Sequence, residues 1–186
     1  MRTRLAVVAL VCCLTGCSGD TSDSGAQRPA PGPPSMVSLD PPPPESLAPG
    51  EIELSCESPI DTLATPPTGY TTALDAVALA TASVRPASPS GPGDPYDLFA
   101  KTGLVVRADR PVTLTVPPAV AVAWGTNRGK WTMVLRIPGC PGTAGPDSPW
   151  MAFPGGFSVR TPQCVPVEVR SGTRRQTLRV PVGRSC

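Results

Sequence analysis

Few residue types in this 186-residue chain could carry out chemistry. There is no histidine, which removes Ser-His-Asp and Cys-His nucleophiles, histidine acid–base catalysis and histidine metal ligands. No G-x-S-x-G, S-x-x-K or P-loop pattern is present, and the only lysines are Lys101 and Lys130. Carboxylates are the remaining catalytic option. Asp94 and Asp97 in "GDPYDLF" stand close in sequence, and Asp109 and Asp147 occupy loop-like stretches. Paired carboxylates hydrolyse glycosides when a fold sets their separation. The spacing here sets none, and loop aspartates ordinarily cap turns. The same "GDPYD" offers oxygen ligands for calcium but lacks the twelve-residue acidic loop that makes such a site specific. No catalytic residue, metal or cofactor is therefore expected.

The other chemical residues are seven cysteines. Arg2 and Arg4 precede an uncharged run from Leu5 to Leu14 that is wholly apolar or cysteine. A basic start and a short apolar run match an export signal, too short to span a bilayer stably, with the arginines left on the cytoplasmic side. The run ends in Leu14-Thr15-Gly16-Cys17, which resembles the lipobox of bacterial lipoproteins. That resemblance implies cleavage of residues 1–16, transfer of a diacylglycerol to the Cys17 thiol and acylation of the new amine. Two or three acyl chains anchor stably where one does not. Cys12 and Cys13 fall in the removed segment, leaving Cys56, Cys140, Cys164 and Cys186. Four cysteines in an exported domain without C-x-x-C spacing read as two disulfides. Three connectivities are open, and Cys140–Cys164 with Cys56–Cys186 is the expected pair.

The elements that position these residues begin after a spacer. Residues 17–50 form a tether in which "PAPGPP" and "DPPPPE" offer too little apolar surface to offset ordering, so an extended, disordered linker is expected. Residues 51–186 suit a single β-rich domain. "TTALDAVALATASVRP" predicts one short helix near its start, with Thr72 as cap, Asp75 three residues on, and Leu74, Val77, Ala78 and Thr81 on one face. Pro86 disfavours helix at Arg85.

Beyond residue 100 the apolar period becomes two. "LVVRADRPVTLTV", "AVAVAWG" and "WTMVLRIPG" read as strands. In the third, Trp131, Met133, Leu135 and Ile137 share one face, opposite Thr132, Val134 and Arg136. The final stretch predicts a hairpin with a type II′ turn at Gly172-Thr173. Its register sets Val167 opposite Leu178, Val165 opposite Val180 and Arg170 opposite Arg175. Pro166 and Pro181 suggest sheet edges. The expected fold is a mostly antiparallel β-sandwich with that one helix, stabilised by disulfides.

Two features suggest binding. "WMAFPGGFSV" groups Trp150, Phe153 and Phe157, either as an aromatic platform for sugar or peptide or, in the preferred reading, as core. Charge is polarised: residues 18–100 carry a balance of −9 and residues 101–186 a balance of +9. Arg160, Arg170, Arg174, Arg175, Arg179 and Arg184 form a candidate basic face for anionic headgroups, wall polymers or an acidic protein. The alternatives are an arginine-rich composition without a ligand, or an intramolecular cover from the acidic half.

"FAKTGLVVRA", "WMAFPGGFSV", "PQCVPVEVRSG" and "VPVGRSC" are similar to small secreted lipoproteins of high-GC actinobacteria. The resemblance implies an exported, disulfide-bearing domain on a Gram-positive cell surface and carries over no functional residue. The expected protein is lipid-anchored on the extracytoplasmic face of the cell membrane. It is expected to act as a non-catalytic envelope-binding module, without nucleic-acid partners. An accessory subunit of a membrane complex is the second expectation and a carboxylate hydrolase the third.

Overall fold

Strands form along the whole domain, some alternating apolar and polar residues and others, such as Val77–Ala80 and Val120–Trp124, buried throughout. The structure, a computed structural model, describes residues 50–57, 59–125 and 130–186, all within the unit Pro44–Cys186. Residues 1–16, expected to be a signal segment, the expected lipidation site Cys17 and the proline-rich stretch to residue 49 lie outside the described residues. The strands are β1 (Glu51–Glu53), β2 (Asp61–Leu63), β3 (Tyr70–Ala73), β4 (Val77–Ala80), β5 (Ser88–Pro89), β6 (Leu98–Lys101) and β7 (Leu104–Arg107). They continue with β8 (Val112–Thr115), β9 (Val120–Trp124), β10 (Val134–Ile137), β11 (Trp150–Phe153), β12 (Gly155–Val159), β13 (Gln163–Ser171) and β14 (Arg174–Val182).

Three sheets result, ordered β1-β10-β8-β13-β14, β2-β11-β7-β4-β3 and β5-β6-β12-β9. Every pairing within them is antiparallel except β1 with β10. All three contribute to one core, which joins Leu114, Leu135 and Val167 of the first sheet to Leu79, Leu104 and Phe153 of the second and Val122, Trp124 and Phe157 of the third. Trp124 and Phe157 meet edge to face at 5.3 Å. The buried Trp124 indole N–H donates to the Thr102 carbonyl at 2.9 Å, so this large ring carries no unmet polar group into the core.

The last hairpin forms in the expected register, with Val167 opposite Leu178, Val165 opposite Val180 and Arg170 opposite Arg175. Gly172 has φ +57° while Thr173 keeps a negative φ, the conformation that a type II′ turn requires.

The expected helix is absent. Its residues form the β3–β4 hairpin instead, with Ala73 paired to Val77. The turn places Leu74 and Asp75 at φ 55° and 53°, closed by the Ala76 N–H donating to the Ala73 carbonyl at 3.0 Å. Two non-glycine residues in the left-handed region cost roughly 1–2 kcal/mol each, and tertiary contacts hold them. The Leu74 N–H donates to the Gln176 side chain at 3.0 Å, and the Asp75 carboxylate accepts from Arg107 at 3.0 Å. Val77 to Ala80 are all buried. A short run apolar on every side suits a central strand as well as a helix, and two flanking strands decide the matter.

The disulfides also differ from expectation: Cys56 bonds Cys140, and Cys164 bonds Cys186. The physical reason is sheet order. β1 runs parallel to β10, with Glu53 beside Arg136, so Cys56 and Cys140 emerge together past one end of that pair. Cys164, the second residue of β13, stands opposite Pro181, and the chain turns at Gly183, φ +69°, returning Cys186 to it.

Alternation also breaks after Trp131. Leu135 and Ile137 enter the core as expected, but Met133 is 48% exposed. Thr132 pairs with Val122 of β9, while Val134 pairs with Thr115 of β8. The chain therefore changes sheets between these residues. The Thr132 hydroxyl stands 2.7 Å from the Gly50 carbonyl and 2.8 Å from that of Val134, and accepts the Val134 N–H at 2.9 Å.

Candidate functional site

The outer face of the third sheet is built from small residues. With Phe157 and Val122 turned into the core, alternation sends Gly156 and Ser158 of β12 and Ala121 and Ala123 of β9 outward. Ala100 of β6 points inward, so Phe99 and Lys101 join the outer face. A Cβ on Gly156 would collide with the Ala100 carbonyl and lie 2.9 Å from Phe99 Cε2. The glycine lets the Phe99 ring lie flat against its strand.

The segment from Ser90 to Asp97 packs over part of this face. Ser158, fully buried, accepts the Tyr96 N–H at 3.1 Å. Asp94 closes a local turn by accepting the Gly91 N–H at 3.1 Å through Oδ2. Its other oxygen accepts the Trp131 indole N–H at 3.2 Å. Trp131 reaches this position because of the change of sheets at Thr132. It meets Phe99 edge to face, with centroids 6.0 Å apart and planes at 75°.

Between these groups lies an open cleft of about 360 Å³, lined by Asp94, Phe99, Lys101, Ala123, Trp131, Pro154 and Gly155. Trp131 and Phe99 are half-buried and Lys101 is exposed, without an ion pair among the described residues. The volume falls within the range of small-molecule sites, and mixed aromatic and charged walls are typical of them.

Of the sequence candidates, only Asp94 belongs to this cleft, and it serves there as a hydrogen-bond acceptor. Asp97 and Asp147 are exposed. Asp109 pairs with Arg107 at 3.2 Å and Arg110 at 3.7 Å, beside Asp75. Phe153 and Phe157 are core residues, and Trp150 is buried with Ala78 and Val105 on the reverse face of the second sheet. The preferred reading as core therefore holds for Phe153 and Phe157, whereas Trp150 is buried in a separate small cluster. The cleft aromatics were not singled out in advance. Their signal is the Phe99-x-Lys101 spacing in "FAK", which puts a large aromatic and a cation on one strand face around an inward Ala100.

The arginines divide. Arg170, Arg175 and Arg179 share the outward face of the last hairpin by alternation, with Arg174 at its turn. All four are exposed and make no ion pair among the described residues. Arg184 follows β14, exposed. Arg160 lies elsewhere, over the Tyr96 ring at 5.1 Å. By contrast, Arg136 bonds Glu53 at 3.0 Å, and Arg107 bonds Asp75 at 3.0 Å. Among the described residues, no group of three or more metal-ligating side chains occurs, and no helix is long and apolar enough to cross a membrane. No protein-family model matches the chain, and no curated protein matches it.

Proposed function

We propose that this chain is a lipid-anchored, non-catalytic binding module on the extracytoplasmic face of the cell membrane, whose arginine-rich last hairpin engages anionic groups of the envelope. The observation that carries this proposal is the cross-strand neighbouring of Arg170 and Arg175, flanked by Arg174 and Arg179, with no carboxylate paired to any of them among the described residues. Like charges directly opposite one another on a sheet are destabilising, and an anionic surface offsets that repulsion. Two disulfides fit an oxidising, exported setting, as do the export signal and the lipobox resemblance at Cys17. We read the fold as a β-sandwich in which the first and second sheets face each other, with β14 lying against β3 and β4.

Each basic residue near an anionic membrane surface contributes about 1 kcal/mol. Replacing Arg170 and Arg175 with Gln should then weaken binding of the Cys17→Ser protein to anionic vesicles about thirty-fold, with wild-type binding falling steeply as salt rises. Sedimentation with phosphatidylglycerol vesicles, and with neutral ones as control, measures this. Unchanged binding in the double variant removes the proposal. Capture of one stoichiometric envelope protein in intact cells, lost when Cys17 is replaced, would favour the accessory-subunit alternative.

A further inference from the structure

The cleft beside Trp131 has chemistry that a basic adhesive face does not need. We infer that it is a saccharide-binding site, selective for a pyranose ring carrying a carboxylate side arm. This goes beyond the envelope-binding proposal and rests on different residues.

Three tryptophans occur in the chain. Trp124 and Trp150 are 1% and 5% exposed, whereas Trp131 is left half-open beside an equally half-open Phe99. Asp94 holds the indole by its N–H edge, which fixes the orientation of a ring that lines the cleft. Ala123 and Gly155 line the same cleft, and their small size leaves room for a flat ring beside the aromatics. The C–H face of a pyranose is such a ring.

The polar groups narrow the class. Asp94 spends one acceptor site on Trp131 and one on Gly91. A carboxylate has about four such sites, so hydroxyl or amide donors of a ligand find free acceptors. Lys101, on the same strand face as Phe99, supplies a single ammonium at the cleft without an ion pair among the described residues. The Asp94 charge is already met in part by two N–H donors, so the Lys101 ammonium is the group left to face one ligand carboxylate. A dianionic phosphate ester would add a second negative charge beside Asp94 with no further cation among the lining residues. A simple aliphatic chain would use neither charged group. An acidic amino sugar supplies the C–H face, the donors and the monoanion within one ring.

The test uses the detergent-solubilised full chain and two probes: N-acetylmuramic acid, and N-acetylglucosamine, the same ring without the carboxylate arm. Tryptophan emission is followed, since Trp131 is the indole open to a ligand among those described. The acidic sugar should give a saturable change, and the neutral one should bind roughly tenfold or more weakly, as the loss of a charge-assisted hydrogen bond requires. Lys101→Met keeps the aliphatic stem and should bring the two sugars to equal affinity, while Trp131→Ala, checked for folding by near-ultraviolet circular dichroism, should abolish binding. Arg170→Gln with Arg175→Gln should leave the titration unchanged. No response to either sugar, equal affinities in the wild type, or retained discrimination in Lys101→Met would each overturn the assignment. So would loss of discrimination in the arginine variant.

Discussion

At the scale of single residues, Thr132 decides where the candidate site lies. Its backbone pairs with β9 of the third sheet, and its hydroxyl ties the next turn of chain to Gly50 and Val134. Thr132 is 5% exposed. Thr132→Val keeps shape and β-branching but removes the acceptor of the part-buried Val134 N–H, which costs about 1–2 kcal/mol. The expected fall in melting temperature is roughly 4–8 °C, with a red shift of Trp131 emission as the indole loses its seat. A variant that melts unchanged would show that packing alone sets the change of sheets. Little of this was legible in the sequence. Alternation in "WTMVLRIPG" placed Leu135 and Ile137 correctly, but it put Met133 on the same buried face, because a chain that changes sheets resets its pleat without altering composition.

At the scale of elements, legibility followed turn chemistry. The last hairpin was readable because Gly172 can take a positive φ and its strands alternate cleanly. The β3–β4 hairpin was hidden because its turn uses Leu74 and Asp75, residues that rarely enter the left-handed region, and its strand β4 has no polar face. Thr72 and Asp75 imitated a capping box, while the contacts that fix the turn come from Gln176 and Arg107, distant in sequence. The same strain gives a prediction at the turn before β9. Ala119 has φ +68°, and the Val120 N–H donates to the Pro117 carbonyl at 3.2 Å. Ala119→Gly relieves about 1–2 kcal/mol of native strain and returns part of it as greater freedom of the unfolded chain. The net gain should be about 0.5–1 kcal/mol, read from the urea midpoint at unchanged slope. A loss of stability would mean that the Ala119 methyl makes packing worth more than its strain.

At the scale of the whole molecule, the covalent framework follows sheet order. Cys164 stands at similar distances along the chain from Cys140 and from Cys186, and it bonds Cys186 because β10 and β13 are separated by β8. The two bonds hold unlike parts of the domain. Cys164–Cys186 closes a separation of 22 residues around a hairpin of two nine-residue strands whose ladder is already extensive. Cys56–Cys140 spans 84 residues and secures β1, a three-residue edge strand held by a parallel pairing and by the buried Leu54. Loop-closure entropy gives about 4–5 kcal/mol for the longer bond and about 3 for the shorter. Replacing Cys56 and Cys140 with Ser should therefore lower the unfolding free energy by more than replacing Cys164 and Cys186, by about 1 kcal/mol in urea titrations. The first pair of replacements should also release β1, which hydrogen exchange at Ile52 to Leu54 would detect. If the order of the two losses were reversed, the shorter bond would be holding native packing at the C-terminus rather than only restricting the unfolded chain. The domain would then rely on its last strand, which also carries Arg174, Arg175 and Arg179, more than on its first.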